Sequence, residues 1–204
     1  MSMPISEDTL TTLAKRVVEE NTRPTTFNVM NTFVRPTLSV ANGADVSLES
    51  IARPASRYLV IGAAGSGKTT LFRYLAKIQA ERLLLGEVTA SCPILIPAVN
   101  VPGITTAILW VNWVRSHILE NTGREMGPDQ VAQFLSEGKI SFLVDGLDEV
   151  NVPGGLIQGL RELLNAYPKT AICDISTPSL QITDRRIQQS HTPKFQRHAT
   201  TCLS

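Results

Sequence analysis

The sequence predicts an α/β domain with a parallel sheet and helices on both faces, and three observations carry that expectation. Short apolar runs alternate with helical patterns between residues 57 and 176, the order that βαβ units impose. A glycine-rich stretch, "GAAGSGKTT" at 62–70, falls at one strand-to-helix junction. An acidic stretch, "FLVDGLDEV" at 142–150, sets Asp145, Asp148 and Glu149 directly after another apolar run.

Each element has its own signal. "SEDTLTTLAKRVVEE" (6–20) reads as an amphipathic helix in which Ser6 caps, Glu7 and Asp8 suit the positive end, and Leu10, Leu13 and Val17 share a face. "NTRPTT" breaks that pattern. "FVRPTLSV" (33–40) is extended in character, and Pro36 makes it an edge strand or a loop against the core. "VSLESIA" suits one helical turn. "RYLVIG" (57–62) is a buried strand, and the glycine loop leads from it into a helix over "KTTLFRYLAKIQAERLL".

"CPILIPAV" (92–99) is the second strand of the regular core. Two helices follow, "TAILWVNWVRSHILENT" and "GPDQVAQFLSEG", the latter with Pro128 in its first turn and Gly138 at its end. "KISFLVDG" (139–146) is the third strand, "PGGLIQGLRELLNAY" a helix with Leu156, Leu160, Leu163 and Leu164 on one face, and "TAICDIS" (170–176) the fourth strand. From 177 the pattern stops, and four Lys/Arg face one acid with no apolar period. This divides the chain into an N-terminal helical extension and linker (1–32), a core (33–176) and a polar basic tail (177–204) expected to be poorly ordered apart from a helical turn near 182–189.

Bulk properties narrow the function classes. With 204 residues, 43% hydrophobic and 18% charged, the chain suits one globular α/β domain. A net charge of +1 gives no general pull toward nucleic acid or an acidic membrane. "MSMPISEDTL" has neither the basic nor the apolar region of a secretory signal, and "TTAILWVNWV" is too short to span a bilayer. Cys92, Cys173 and Cys202 are widely spaced and do not combine with His117, His191 or His198 at zinc-site spacing. Structural thiols in a reducing, cytoplasmic setting are expected.

The glycine stretch fits GxxxxGK[ST] at every fixed position, through Gly62, Ala63, Ala64, Gly65, Ser66, Gly67, Lys68 and Thr69, with Thr70 following. Glycines let successive backbone N–H groups turn inward as an anion nest, and the following helix adds its positive end. Lys68 then reaches the β and γ phosphates of a nucleotide, and the Thr69 hydroxyl ligates Mg²⁺. Asp145 closes an apolar strand of the same sheet, where an acid holds Mg²⁺ opposite Thr69. That ion and Lys68 balance Asp145 and the nucleotide phosphates. Asp148 and Glu149 lie just beyond, and either can orient or deprotonate an attacking water; the bland alternative makes them a solvated helix start.

"GAAGSGKTTLFRYLA", "CPILIPAVNV" and "ISFLVDGLDEV", preceded by "FVRPTLSV", resemble the NACHT NTPases over about residues 33–176. These belong to the STAND class of P-loop signal-transduction ATPases, found in animal innate immunity, fungal incompatibility and bacterial antiviral defence. The Walker A stretch is the less specific part, and DGLDE at a strand end (Walker B) the more specific. The resemblance implies a P-loop NTPase three-layer sandwich whose fourth strand lies between the loop strand and the acidic strand. It further implies ATP or ADP with Mg²⁺, slow hydrolysis, and nucleotide-governed oligomerisation, as a homo-oligomer or with a full-length NACHT relative. By motif, Lys68 and Thr69 meet phosphate and metal, Asp145 serves the metal, and Asp148 or Glu149 supports hydrolysis.

The pattern departs from the family after the fourth strand: the fifth strand that the resemblance implies is not legible, so the sheet is expected to be incomplete at the C-terminus, with one side of the glycine-loop strand open. Where members place an arginine that senses the γ-phosphate, this sequence reads "ISTPS", with Thr177 at that position. A threonine carries no charge, so hydrolysis is expected to be slow or absent. Arg185 and Arg186 read as tail charges. Two other functions fit less of the sequence: an interaction module regulating a full-length relative, and a small P-loop kinase, for which the tail shows no arginine-rich lid.

Overall fold

The computed structural model describes residues 5–22, 38–40, 45–51, 53, 56–61, 65–101, 103–150, 154–176 and 198–202. The strands are β1 (Leu38–Val40), β2 (Asp45–Val46), β3 (Arg57–Ile61), β4 (Cys92–Pro97), β5 (Ile140–Asp145), β6 (Ala171–Ser176) and β7 (His198–Cys202). The helices are α1 (Ile5–Thr22), α2 (Leu48–Ile51), α3 (Lys68–Leu84), α4 (Ala107–Thr122), α5 (Pro128–Glu137) and α6 (Gly154–Ala166).

Local chemistry sets several boundaries. Thr106 caps α4 by accepting from the Leu109 N–H at 3.3 Å, and Gly123 closes that helix at φ 68°. Pro128 opens α5, and Gly138 ends it at φ 71°. At the N-terminus, α1 starts at Ile5, so Ser6 lies inside the first turn instead of capping it from outside.

The strands form one sheet in the order β2-β1-β7-β3-β6-β5-β4. From β7 to β4 the neighbours are parallel, whereas β1 runs antiparallel to both β2 and β7. The structure is therefore an α/β protein with a parallel core sheet, as the alternating pattern predicts. β6 pairs with β3 on one side and β5 on the other, so the fourth regular strand separates the glycine-loop strand from the acidic strand.

Two expectations are corrected. The free side of β3 is not open, because Tyr58–Ile61 pairs with His198–Thr201 of β7. Backbone N–H and C=O groups make that ladder, and they need no apolar alternation in "HATTC" to do so. The extended stretch at 38–40 is not an edge either, since β1 sits between β2 and β7. Pro36, and the helical turn expected near 182–189, lie outside the described residues.

Alternation along the strands feeds two cores. Phe142 and Val144 of β5 join Ile94, Ile96, Trp110, Val114, Leu135, Leu156 and Leu163 on one face. Leu143 joins Val60, Leu71, Phe72, Leu75 and Ala76 on the other. Thus α4, α5 and α6 cover one face and α3 the other, giving three layers. Leu10, Leu13 and Ala14 of α1 enter the first core, and α1 also touches α3, α4 and β4. It therefore lies across the β4 edge. Cys92 N–H donates to the Lys139 carbonyl at 2.7 Å, which turns positions 92, 94 and 96 toward β5. Pro93 and Pro97 then fall at outward positions, where they remove N–H donors from the sheet's edge.

Close packing and a half-buried ring give two predictions. A Cβ at Gly159 of α6 would lie 1.9 Å from the Ile104 carbonyl oxygen and 3.0 Å from Trp110 Nε1. Gly159→Ala is expected to cost about 1–3 kcal/mol through overpacking, read as a melting temperature lowered by about 2–4 °C per kcal/mol. An unchanged melting curve would contradict this contact. On α4, His117 stacks on Trp113 with centroids 5.2 Å apart. Burial holds its pKa below the usual histidine value, helped by Arg16 and opposed by Glu120 and Glu20. The neutral ring is thus favoured on folding. Its contribution is complete above the ordinary pKa and is lost as pH falls through the lowered folded value. His117→Gln should therefore lose less stability than the parent between about pH 7.5 and about pH 5.5 in chemical denaturation; equal losses would show that His117 does not carry the effect.

Candidate functional site

Parallel pairing gathers the candidate residues. Leu59 of β3, Asp174 of β6 and Val144 of β5 form one row across the sheet. Asp145 is one residue beyond that row, and β3 ends at Ile61, two beyond it. The start of the glycine loop and the acidic strand end thus share the C-terminal edge. They stand two strand spacings apart, roughly 10 Å.

Gly62, Ala63 and Ala64 lie outside the described residues. The rest of the loop has the backbone that the motif needs. Gly65 has φ 76° and Gly67 φ 85°, both left-handed, where a side chain is strained even though a Cβ at either position meets nothing within 4 Å. Gly67 is the residue before α3, and no side chain caps that helix start. No acid sits in its first turn either. A helix of 17 residues therefore presents its positive end at the loop without a competing carboxylate. Lys68, Thr69 and Thr70 form the first turn, with Thr69 exposed. The Ser66 hydroxyl is buried and has no hydrogen-bond partner. Left-handed glycines, an uncapped helix start and an orphan hydroxyl together suit an anion with several acceptor oxygens.

The acidic side is shaped by one glycine and one leucine. Gly146 takes φ 75°, ψ 35°, and turns the chain out of β5 into a short 3₁₀ turn, Leu147–Glu149. Leu147 is 1% exposed and plugs into the core behind the strand. That anchor holds Asp145 at the rim and sets the turn carrying Asp148 and Glu149 beside β6. The exposed Glu149 side chain folds back, its Oε2 lying 3.2 Å from where a Cβ on Gly146 would stand. Glu149 N–H donates to the Gly146 carbonyl at 3.0 Å, closing the turn. Among the described residues, no three His, Cys, Asp or Glu side chains gather as a metal cage. A Mg²⁺ at Thr69 and Asp145 would draw its other ligands from phosphate and water, the usual pattern for that ion.

One buried polar contact between α3 and β5 is not legible in the sequence. Ser141 Oγ donates to Gln79 Oε1 at 2.7 Å, and both residues are buried. The signal was a lone hydroxyl inside the apolar run "KISFLVD".

No family model matches the chain, and no curated protein matches it. Among solved structures, the chain is similar to C. elegans PCH-2 at 12% identity and TM-score 0.39, over 89% of this chain and 40% of that one. It is also similar to the Aeropyrum pernix ORC2 protein in its ADPNP–ADP complexes, at 14% identity and TM-score 0.41, over 80% of this chain and 39% of that one. The chain thus spans about two fifths of each. Both likenesses are too distant to transfer a function. No helix among the described residues is long and apolar enough to cross a membrane.

The loop backbone gives a test that needs no ligand. Gly67→Ala forces a side chain into the left-handed region and should cost about 1–2 kcal/mol of unfolding free energy. Gly103→Ala, in open space without a left-handed φ, should stay within about 0.5 kcal/mol of the parent. Equal effects in urea titrations would rule out the described loop conformation.

Proposed function

We propose that this chain is the nucleotide-binding core of a NACHT-like, STAND-class switch that takes ATP or ADP with Mg²⁺. One observation carries the proposal: an uncapped helix start behind left-handed Gly67 shares a sheet edge with Asp145. The N–H groups of Gly65 to Thr70 would hold the β and γ phosphates, joined by Lys68 Nζ and the orphan Ser66 hydroxyl. Thr69 and Asp145 would hold the metal, which when bound neutralises charge on the phosphates. The placement of β6 between β3 and β5 supports the NACHT-like reading, because the resemblance implies that order. Nucleotide-governed oligomerisation rests on the resemblance alone.

Hydrolysis is proposed to be slow or absent. The resemblance places an arginine where this sequence has Thr177, which carries no charge to stabilise the transition state. The switch reading therefore needs occupancy of the site, not turnover.

Calorimetric titration with ATP and ADP, with and without Mg²⁺, tests the binding half. Mg²⁺ should tighten ATP, and Lys68→Ala should weaken it about tenfold or more, a loss of about 1.4 kcal/mol. Dissociation constants above about 1 mM for both nucleotides would sink the reading. Brisk steady-state ATP turnover abolished in Lys68→Ala would overturn the proposal of slow hydrolysis.

A further inference from the structure

We propose that Gln79 and Ser141 are positioning residues that set the spacing between the two halves of the metal site, an inference that rests on the Mg²⁺–nucleotide reading above. The two halves belong to different elements. Thr69 lies in the first turn of α3, and Asp145 ends β5. Helix and strand cross-link through the hydrogen bond from Ser141 Oγ to Gln79 Oε1, 2.7 Å long, with the two residues 1% and 3% exposed.

The lengths on either side of that bond match. Ser141 precedes Asp145 by four residues, roughly 13 Å along a strand. Gln79 follows Thr69 by ten residues, roughly 15 Å along a helix. Since α3 follows a parallel strand and runs back against the sheet, the cross-link joins the far ends of two levers of nearly equal length. Their near ends carry the metal ligands.

Beside that bond, α3 and β5 also share apolar packing. Leu143, on the same strand face as Ser141, packs in one cluster with Leu71, Phe72, Leu75 and Ala76. Apolar packing is non-directional and tolerates a small slide along the helix axis. A buried hydrogen bond does not, because sliding leaves a hydroxyl and an amide unsatisfied together. Mg²⁺ in turn demands near-ideal octahedral geometry at short distances, so the slide that apolar packing permits is enough to spoil shared ligation by Thr69 and Asp145.

The test separates positioning from stability. ATP affinity is measured calorimetrically in EDTA and across a Mg²⁺ titration, beside thermal melts, for Ser141→Ala, Gln79→Leu and the double variant. Each single variant leaves one buried polar group orphaned and should melt earlier. The double variant removes both and should recover most of the melting temperature. Despite that recovery, it should need about tenfold more Mg²⁺ than the parent for the same ATP affinity, as loss of a supporting shell does at metal sites. Its affinity in EDTA should match the parent's. If the single variants do not fold, the double variant decides alone. A double variant with the parent's Mg²⁺ dependence overturns the inference and leaves the nucleotide reading standing. A parent chain whose ATP affinity ignores Mg²⁺ removes the metal reading and this inference with it.

Discussion

The parallel insertion of β6 between β3 and β5 is the constraint on which the rest of the molecule depends. Parallel neighbours require crossovers, and right-handed crossovers carry the intervening helices to defined faces of the sheet. Once β6 is in place, the ends of β3 and β5 point the same way and stand about two strand spacings apart. The positive start of α3 and the carboxylate of Asp145 then face a common space at the rim. Direct pairing of β3 with β5 would halve that separation and crowd the glycine loop against Asp145.

The site sits where the two cores end. Within β5, Phe142 and Val144 fill one core and Leu143 the other, so the strand cannot slip by one residue without turning apolar groups out of both. At Asp145 that obligation stops, and the next buried side chain is Leu147. Between two such anchors, the left-handed Gly146 is free to turn the chain while Asp145 stays at the rim. The same logic holds at β3, where buried Val60 precedes the glycine loop and buried Leu71 follows it. Rigid packing on both sides of each short polar segment is what lets those segments present charge with little support of their own.

Much of this was legible because it is local. The helix at 68–84 starts after a glycine whose left-handed φ ends the loop, and the helix at 107–122 starts after a threonine that caps it. The acidic turn is visible as three carboxylates after an apolar run, whereas the burial of Leu147 that anchors it shows only in the packed core. β7 was not legible. "HATTC" offers no apolar alternation, and it becomes a strand because β3 and β1 each present a backbone ladder to it. The Ser141–Gln79 bond was hidden for another reason: sixty-two positions separate its partners, and each alone reads as an ordinary polar residue.

The sequence by itself determined which segments become the main helices and strands from 57 to 176, and it set a GxxxxGK[ST] stretch and an acidic stretch each at the end of a strand. Periodicity, caps and left-handed glycines act over a few residues, so they can be read along the chain. Only the tertiary structure decided the remaining neighbours: that β7 closes the side of β3, that α1 lies across the β4 edge, and that Gln79 meets Ser141. Those choices are long-range, settled by filling two cores at once and satisfying every buried backbone group, and no single stretch of the chain contains that information.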